Sequence, residues 1–132
     1  MKKNIFMSVV AGLVILGLSE ASAASVSNDN EKQIAAVQQN YYAIQKIDNP
    51  SKEVQLAAVK QSFHAIKYIE NPDIDVQIAA VENDARAIKF IANPDPDVQI
   101  AAVTQSYHAI RYIENPDREA SRIAYVNFMR DN

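Results

Sequence analysis

The chain has 132 residues, a formal net charge of −3 and no cysteine. That length suits one domain. The missing cysteines exclude disulfides, thiol chemistry and a lipid-bearing Cys, and the mild acidity argues against a general nucleic-acid binder, which needs a basic footprint.

Lys2 and Lys3 are followed by an apolar run over residues 5–18 and then by Ala21, Ser22 and Ala23. A basic start, a short apolar stretch and a small-x-small exit make the pattern of a secretory signal peptide. The apolar run counts 14 residues, short of the roughly 20 that a spanning helix needs. Residues 1–23 are therefore expected to be a cleaved signal peptide. The remainder is then exported to the periplasm or medium of a bacterium, with no stable membrane anchor. Losing Lys2, Lys3 and Glu20 takes the charge from −3 to −4. Both glycines, Gly12 and Gly17, leave with this segment, so the rest of the chain cannot build a Gly-rich phosphate loop.

After a short segment, residues 24–28, one motif repeats. Repeats begin at Asp29, Ser51, Asp73, Asp95 and Asp117, each 22 residues after the last. They occupy residues 29–50, 51–72, 73–94 and 95–116, with a shorter piece at 117–132. A fixed period of this size signals stacked structural units. Each repeat opens on a residue type that caps helices. An acid follows two positions later at Glu31, Glu53, Asp75, Asp97 and Glu119, where it suits the positive end of a helix dipole. Pro96 adds a proline where its missing N–H costs nothing. The pattern predicts an α-helix start at every repeat.

The first helix reads VQIAAV at residues 76–81 and is expected to run about nine residues. Its alanine pairs, such as Ala57-Ala58 and Ala79-Ala80, keep one face thin and let neighbouring helices approach closely. A second column of capping types follows at Asn40, Ser62, Asp84 and Ser106. It predicts a second short helix, residues 41–48 in the first repeat. One bent helix per repeat is the alternative, because no Gly or Pro separates the halves. The apolar positions of the second segment recur at i, i+3 and i+6, as in Phe63, Ile66 and Ile69, and so share a face. Asn49-Pro50, Asn71-Pro72, Asn93-Pro94 and Asn115-Pro116 close the repeats, since proline expels its predecessor from helical geometry.

Helices this short are marginal alone in water. Stacking supplies the missing wall. The reading is an all-α fold, a short α-solenoid of 22-residue helix-turn-helix repeats with a C-terminal capping helix. Arg122 stands where Ile34, Leu56, Ile78 and Ile100 stand. A polar residue there suits a capping helix, and this polarity argues against endless stacking.

The phrase VQ-x-AAV-x-Q…AI-x-x-I-x-NP, as in residues 54–72, resembles short tandem helical repeats in uncharacterised bacterial and phage proteins, grouped as a domain of unknown function. The resemblance covers residues 29–117. It implies a helical array and no activity. Members often carry Gly or Pro near the middle of the repeat, where this chain has Tyr41, Phe63, Ala85 and Tyr107.

Candidate sites are few. Gln33, Gln55, Gln77 and Gln99 form a column that reads as structural, each amide satisfying backbone of an adjacent turn. His64 and His108 lie two repeats apart, roughly 20 Å at ordinary helix spacing, too far to share a metal. Ser62 with His64 and Ser106 with His108 are i, i+2 pairs, which do not face each other on a helix. The paired acids Asp73 and Asp75 are explained by a helix start. Lys67, Lys89 and Arg111 make a basic column beside Tyr68, Phe90 and Tyr112, with Gln45 and Lys46 at the same places in the first repeat. Aromatic bodies usually bury between elements. Left on the surface, the two columns form a candidate face for an anionic, sugar-like or protein partner.

The function expected is that of an exported, non-enzymatic scaffold binding a protein or other macromolecule, with no cofactor, no metal and no nucleic acid. A structural or self-assembling protein is the first alternative and a small hydrolase a remote one.

Overall fold

The structure, a computed structural model, describes residues 18–132, with side chains from residue 27 on. It is all helical, and no strand occurs among the described residues. The α-helices are α1 (Leu18–Gln39), α2 (Lys52–Gln61), α3 (Ile74–Asn83), α4 (Pro96–Gln105) and α5 (Arg118–Asp131). Between them lie four 3₁₀ helices: η1 (Tyr41–Lys46), η2 (Phe63–Tyr68), η3 (Ala85–Phe90) and η4 (Tyr107–Tyr112). The chain divides into two compact parts, Met1–Gln33 and Ile34–Asn132. In the first, the described residues are helical, and Lys32 lies 3.8 Å from Asp29 on exposed surface. The expected cleavage point after Ala23 falls within α1, while residues 1–17 of the expected signal segment lie outside the described residues.

The helix start expected at Asp29 is not there, because α1 runs straight through it. The reason is upstream. Ser51, Asp73, Asp95 and Asp117 each follow an Asn-Pro pair, whereas Asp29 follows Ser27-Asn28. Nothing between residues 18 and 28 removes an N–H or forces the chain out of helical geometry. At the other starts the caps form: Ser51 accepts from the Val54 N–H, Asp95 from Asp97 and Asp117 from Glu119. Asp73 holds the cap position without a side-chain bond.

The second segment of each repeat is a 3₁₀ helix of six residues, shorter than the helix expected over residues 41–48. The break from α to 3₁₀ rests on one polar residue. Ser62 is extended, at φ −154° and ψ 128°. Its N–H donates to the Ala58 carbonyl and closes α2, while its own carbonyl accepts from the Ala65 N–H and opens η2. Its hydroxyl then accepts from the His64 N–H. Asn40 and Asp84 repeat all three bonds, and Ser106 the two backbone ones. No Gly or Pro is needed, because the pivot satisfies the groups that the turn frees.

A spacing of exact threes also suits a 3₁₀ helix better than an α-helix, since three residues make one turn and i, i+3 side chains eclipse. Phe63, Ile66 and Ile69 are accordingly all buried. The alanines two places after the starts of η2, η3 and η4, Ala65, Ala87 and Ala109, are buried as well.

Within Ile34–Asn132 the packing runs between neighbours. α2 packs on α3, α3 on α4 and α4 on α5, while η1 meets η2, η2 meets η3 and η3 meets η4. Each of η2 to η4 also lies between the α-helix before it and the one after it. The core fills the space between these two rows. Val54, Val76 and Val98 near the helix starts and Val37, Val59, Val81 and Val103 near the ends are wholly buried. Each contributes about 1.5–3 kcal/mol over an exposed valine. Ala58, Ala80 and Ala102 are wholly buried too, so the second alanine of each pair makes the close approach.

Asn49, Asn71 and Asn93 have φ of 50°, 47° and 49°. Asparagine tolerates this left-handed region better than most residues, which lets the chain reverse just before each proline. Asn83 adds a link that the spacing did not announce. Its Nδ2 donates to the Val59 and Lys60 carbonyls at 2.9 and 2.7 Å, covering the open end of α2.

α5 departs from the polar capping helix expected. Arg122 is exposed and paired with Glu119, but Tyr125, Val126, Phe128 and Met129 are exposed on the same helix. One polar replacement does not make a polar face.

Candidate functional site

The last two residues of η2, η3 and η4 are Lys67-Tyr68, Lys89-Phe90 and Arg111-Tyr112. On a 3₁₀ helix the first and fourth positions face the core together, so the fifth shares a flank with the second, and the sixth lies over the buried alanine at the third. Tyr68 and Tyr112 are 37% and 43% exposed, the three cations are exposed, and Phe90 is half-buried.

The two columns interleave. The Lys67 ammonium lies 4.5 Å from the centre of the Phe90 ring, across the junction between η2 and η3, and Lys89 lies 5.1 Å from the same ring. Arg111 sits 5.6 Å from the Tyr112 ring. Such contacts contribute about 0.5–1 kcal/mol each at exposed sites and fix where the charges stand. Among the described residues no cation lies over the Tyr68 ring. That ring meets Tyr42 at 5.8 Å between centroids.

Tyr42 was missed in the sequence. It is 48% exposed and extends the aromatic row into η1, where the register of Tyr68 is held by Lys46. The second position of each 3₁₀ helix reaches toward the sixth of the next, so Tyr42 meets Tyr68 and His64 meets Phe90 at 6.3 Å. The adjacent tyrosines Tyr41 and Tyr42, stacked at 4.2 Å, were the available signal. The Tyr41 hydroxyl is pushed up to about 12 by its hydrogen bond to Tyr42 and by partial burial.

Beneath this row lie three clefts at successive junctions, of about 660, 440 and 520 Å³. They are equivalent in sequence. The first is walled by Tyr68, the second by Phe90 and the third by Tyr112. Each has an Asn-Pro pair on one side, and Gln55, Gln77 or Gln99 in its lining. The glutamines are tied down: their Nε2 groups donate to the carbonyls of Pro50, Pro72 and Pro94 at 2.8–2.9 Å. The structural column and the candidate face thus border the same clefts. Lys67 lines the second and Lys89 the third, while Asp48 and Glu70 border the first.

Ser62 and His64 are closer than an i, i+2 pair on a helix allows. Ser62 Oγ lies 3.3 Å from His64 Nδ1. The reason is that Ser62 is the extended pivot and not a helical residue. The carboxylate of Asp84, which could have oriented the imidazole, is gripped instead by Arg86 through bonds of 2.6 to 3.1 Å. That guanidinium holds the Asp84 carboxyl below the usual range. His64 itself lies against Phe63 at 4.0 Å and Phe90. Among the described residues no three metal-ligating side chains gather.

No family model, no curated protein and no solved structure matches this chain.

Proposed function

We propose that the chain is an exported α-solenoid of 22-residue repeats, a non-enzymatic scaffold that binds a protein or other extended macromolecule. The face is that of Lys67, Tyr68, Lys89, Phe90, Arg111 and Tyr112, with Tyr42 added at its start. The observation that carries this reading is the recurrence of one cleft at each junction, with an aromatic wall each time. A single small ligand needs one pocket. Equal subsites in a row suit a partner long enough to lie across several of them, each adding its share without new ordering of the scaffold. Nearest-neighbour packing supports the array, and aromatic anchors with cations beside them are the residue types that dominate binding energy.

The test is capture from the source cell's envelope and medium by the intact protein and by a Tyr68→Ala, Phe90→Ala, Tyr112→Ala variant. Helical content by circular dichroism shows that the variant is folded. Partners lost by the variant support this face, and identical partners remove it. Export has its own measurement, the mass of the protein recovered outside the cytoplasm. A chain beginning at Ala24 is expected, and one retaining Met1 overturns export by cleavage.

A further inference from the structure

The three clefts are alike in form and unlike in charge. The first is bordered by Asp48 and Glu70, with Gln45 in the place where the other two have a lysine. The third sets Lys89 against Glu114. The second is lined by Lys67 and by no acid, because Ala92 stands in the register of Glu70 and Glu114. Among the described residues neither Lys67 nor Lys89 forms an ion pair, whereas Lys52, Arg86 and Arg122 are each held by a carboxylate. Both lysines lean on the Phe90 ring, at 4.5 and 5.1 Å from its centre, which gathers two positive charges at one wall. The surroundings share this sign. The four 3₁₀ helices hold Lys46, Lys67, Arg86, Lys89 and Arg111 and not one acid.

The second cleft offers two more groups. Gln77 is fixed by its bond to the Pro72 carbonyl, and among the described residues its Oε1 accepts no hydrogen bond. In the third cleft the equivalent oxygen of Gln99 is taken by the Asp117 N–H. Phe90, Ile91 and Ala92 supply an apolar wall, and the short side chain of Ala92 leaves open the space that a glutamate would fill.

We infer that the second cleft is the subsite that takes a carboxylate of an extended peptide, which rests on the docking role proposed for this face. An Asp or Glu side chain of the peptide meets Lys67 and Lys89. An apolar side chain two positions away, on the same face of the extended chain, lies on Phe90 and Ala92. A peptide N–H donates to Gln77 Oε1. The neighbouring clefts disfavour a partner charged along its whole length, such as polyphosphate or an acidic polysaccharide, since Asp48, Glu70 and Glu114 repel it on either side. A peptide can carry one acid and stay neutral beyond it.

NMR titration of the intact, nitrogen-labelled protein tests this. The probe is the peptide Ser-Leu-Ser-Glu-Ser-Leu-Ser, acetylated and amidated so that glutamate is its only charge. Saturable shifts are expected at the Gln77 side-chain amide and at residues 90–92, and not at the first and third clefts. Replacing the glutamate by glutamine should weaken binding about tenfold or more, through the loss of a charge-assisted contact. Ala92→Glu, on exposed surface, and Lys67→Gln should each weaken it by a similar factor, with the spectra showing that both variants are folded. Equal affinity for the glutamine peptide, undiminished binding by Ala92→Glu, or shifts spread evenly over the three clefts overturns the proposal. So does saturable binding of polyphosphate at this cleft without binding of the peptide. If the peptide does not bind while the intact protein still captures partners that the Tyr68→Ala, Phe90→Ala, Tyr112→Ala variant loses, the carboxylate subsite falls and the docking role stands. If neither the peptide nor such partners bind, both fall.

Discussion

Gln99 accepts the backbone N–H of Asp117 on its Oε1 at 2.7 Å. Its other end donates to the Pro94 carbonyl at 2.9 Å. One amide therefore ties the loop before α4 to the cap of α5, and it is 6% exposed. Among the described residues Gln77 makes the proline bond alone, to Pro72. Gln99→Leu should strand two backbone groups and Gln77→Leu one, at about 1–3 kcal/mol for each unsatisfied group. Urea unfolding of the two variants measures this. An equal or smaller loss for Gln99→Leu would show that the second bond contributes nothing.

The alanine seam makes a contrast within one protein. Ala80 is wholly buried in the core, and Ala36 is exposed on α1. Ala80→Leu must force three further carbons between closely packed helices, at a cost of about 1–3 kcal/mol. Ala36→Leu should stay within about 0.5 kcal/mol of the parent. Thermal melts compare them, and equal melting temperatures would dispose of the seam.

Asn71 holds φ at 47°. A residue with a Cβ pays about 1–2 kcal/mol in that region unless it is one of the few types that visit it. Asn71→Gly should therefore be tolerated and Asn71→Val should lose about that amount. A valine variant as stable as the parent would mean that the turn relaxes to another geometry at no cost.

Arg86 depresses the Asp84 carboxyl, chiefly by its side-chain hydrogen bonds. A carboxyl whose folded pKa lies below its unfolded value of about 3.9 stabilises the fold above that value. The contribution fades as pH falls through the lower, folded pKa. The pair is largely solvent-facing, with the Arg86 side chain 62% exposed, so the effect is small and salt-sensitive. Asp84→Asn keeps a capping amide, as Asn40 does in η1, and removes only the charge. It should melt slightly below the parent at neutral pH and together with it near pH 2. A gap that persists in acid would assign the loss to the cap and not to the ion pair.

The caps, the acids after them, the Asn-Pro stops and the valine and isoleucine columns are local signals. Each acts on neighbouring backbone, so the all-helical fold and most helix boundaries were legible in the sequence. The false start at Asp29 has the same explanation in reverse, since a cap needs a stop before it and the first repeat lacks the proline. The spacing of three in the second segment was read as one face of a short helix, and the fold gives it the 3₁₀ form, whose three-residue turn stacks such positions fully.

What residues 18–132 do at a distance was not legible. That Lys67 leans on Phe90 and that Tyr42 completes the aromatic row are contacts between residues more than 20 positions apart, and that the glutamines border the clefts and that α5 leaves a second apolar side bare depend likewise on how one repeat sits on the next. The chain by itself set the rhythm of the elements, because capping and turn formation are settled within a few residues. The assembled fold alone decided which side chains meet and which stay uncovered, because that depends on how each layer sits on the next.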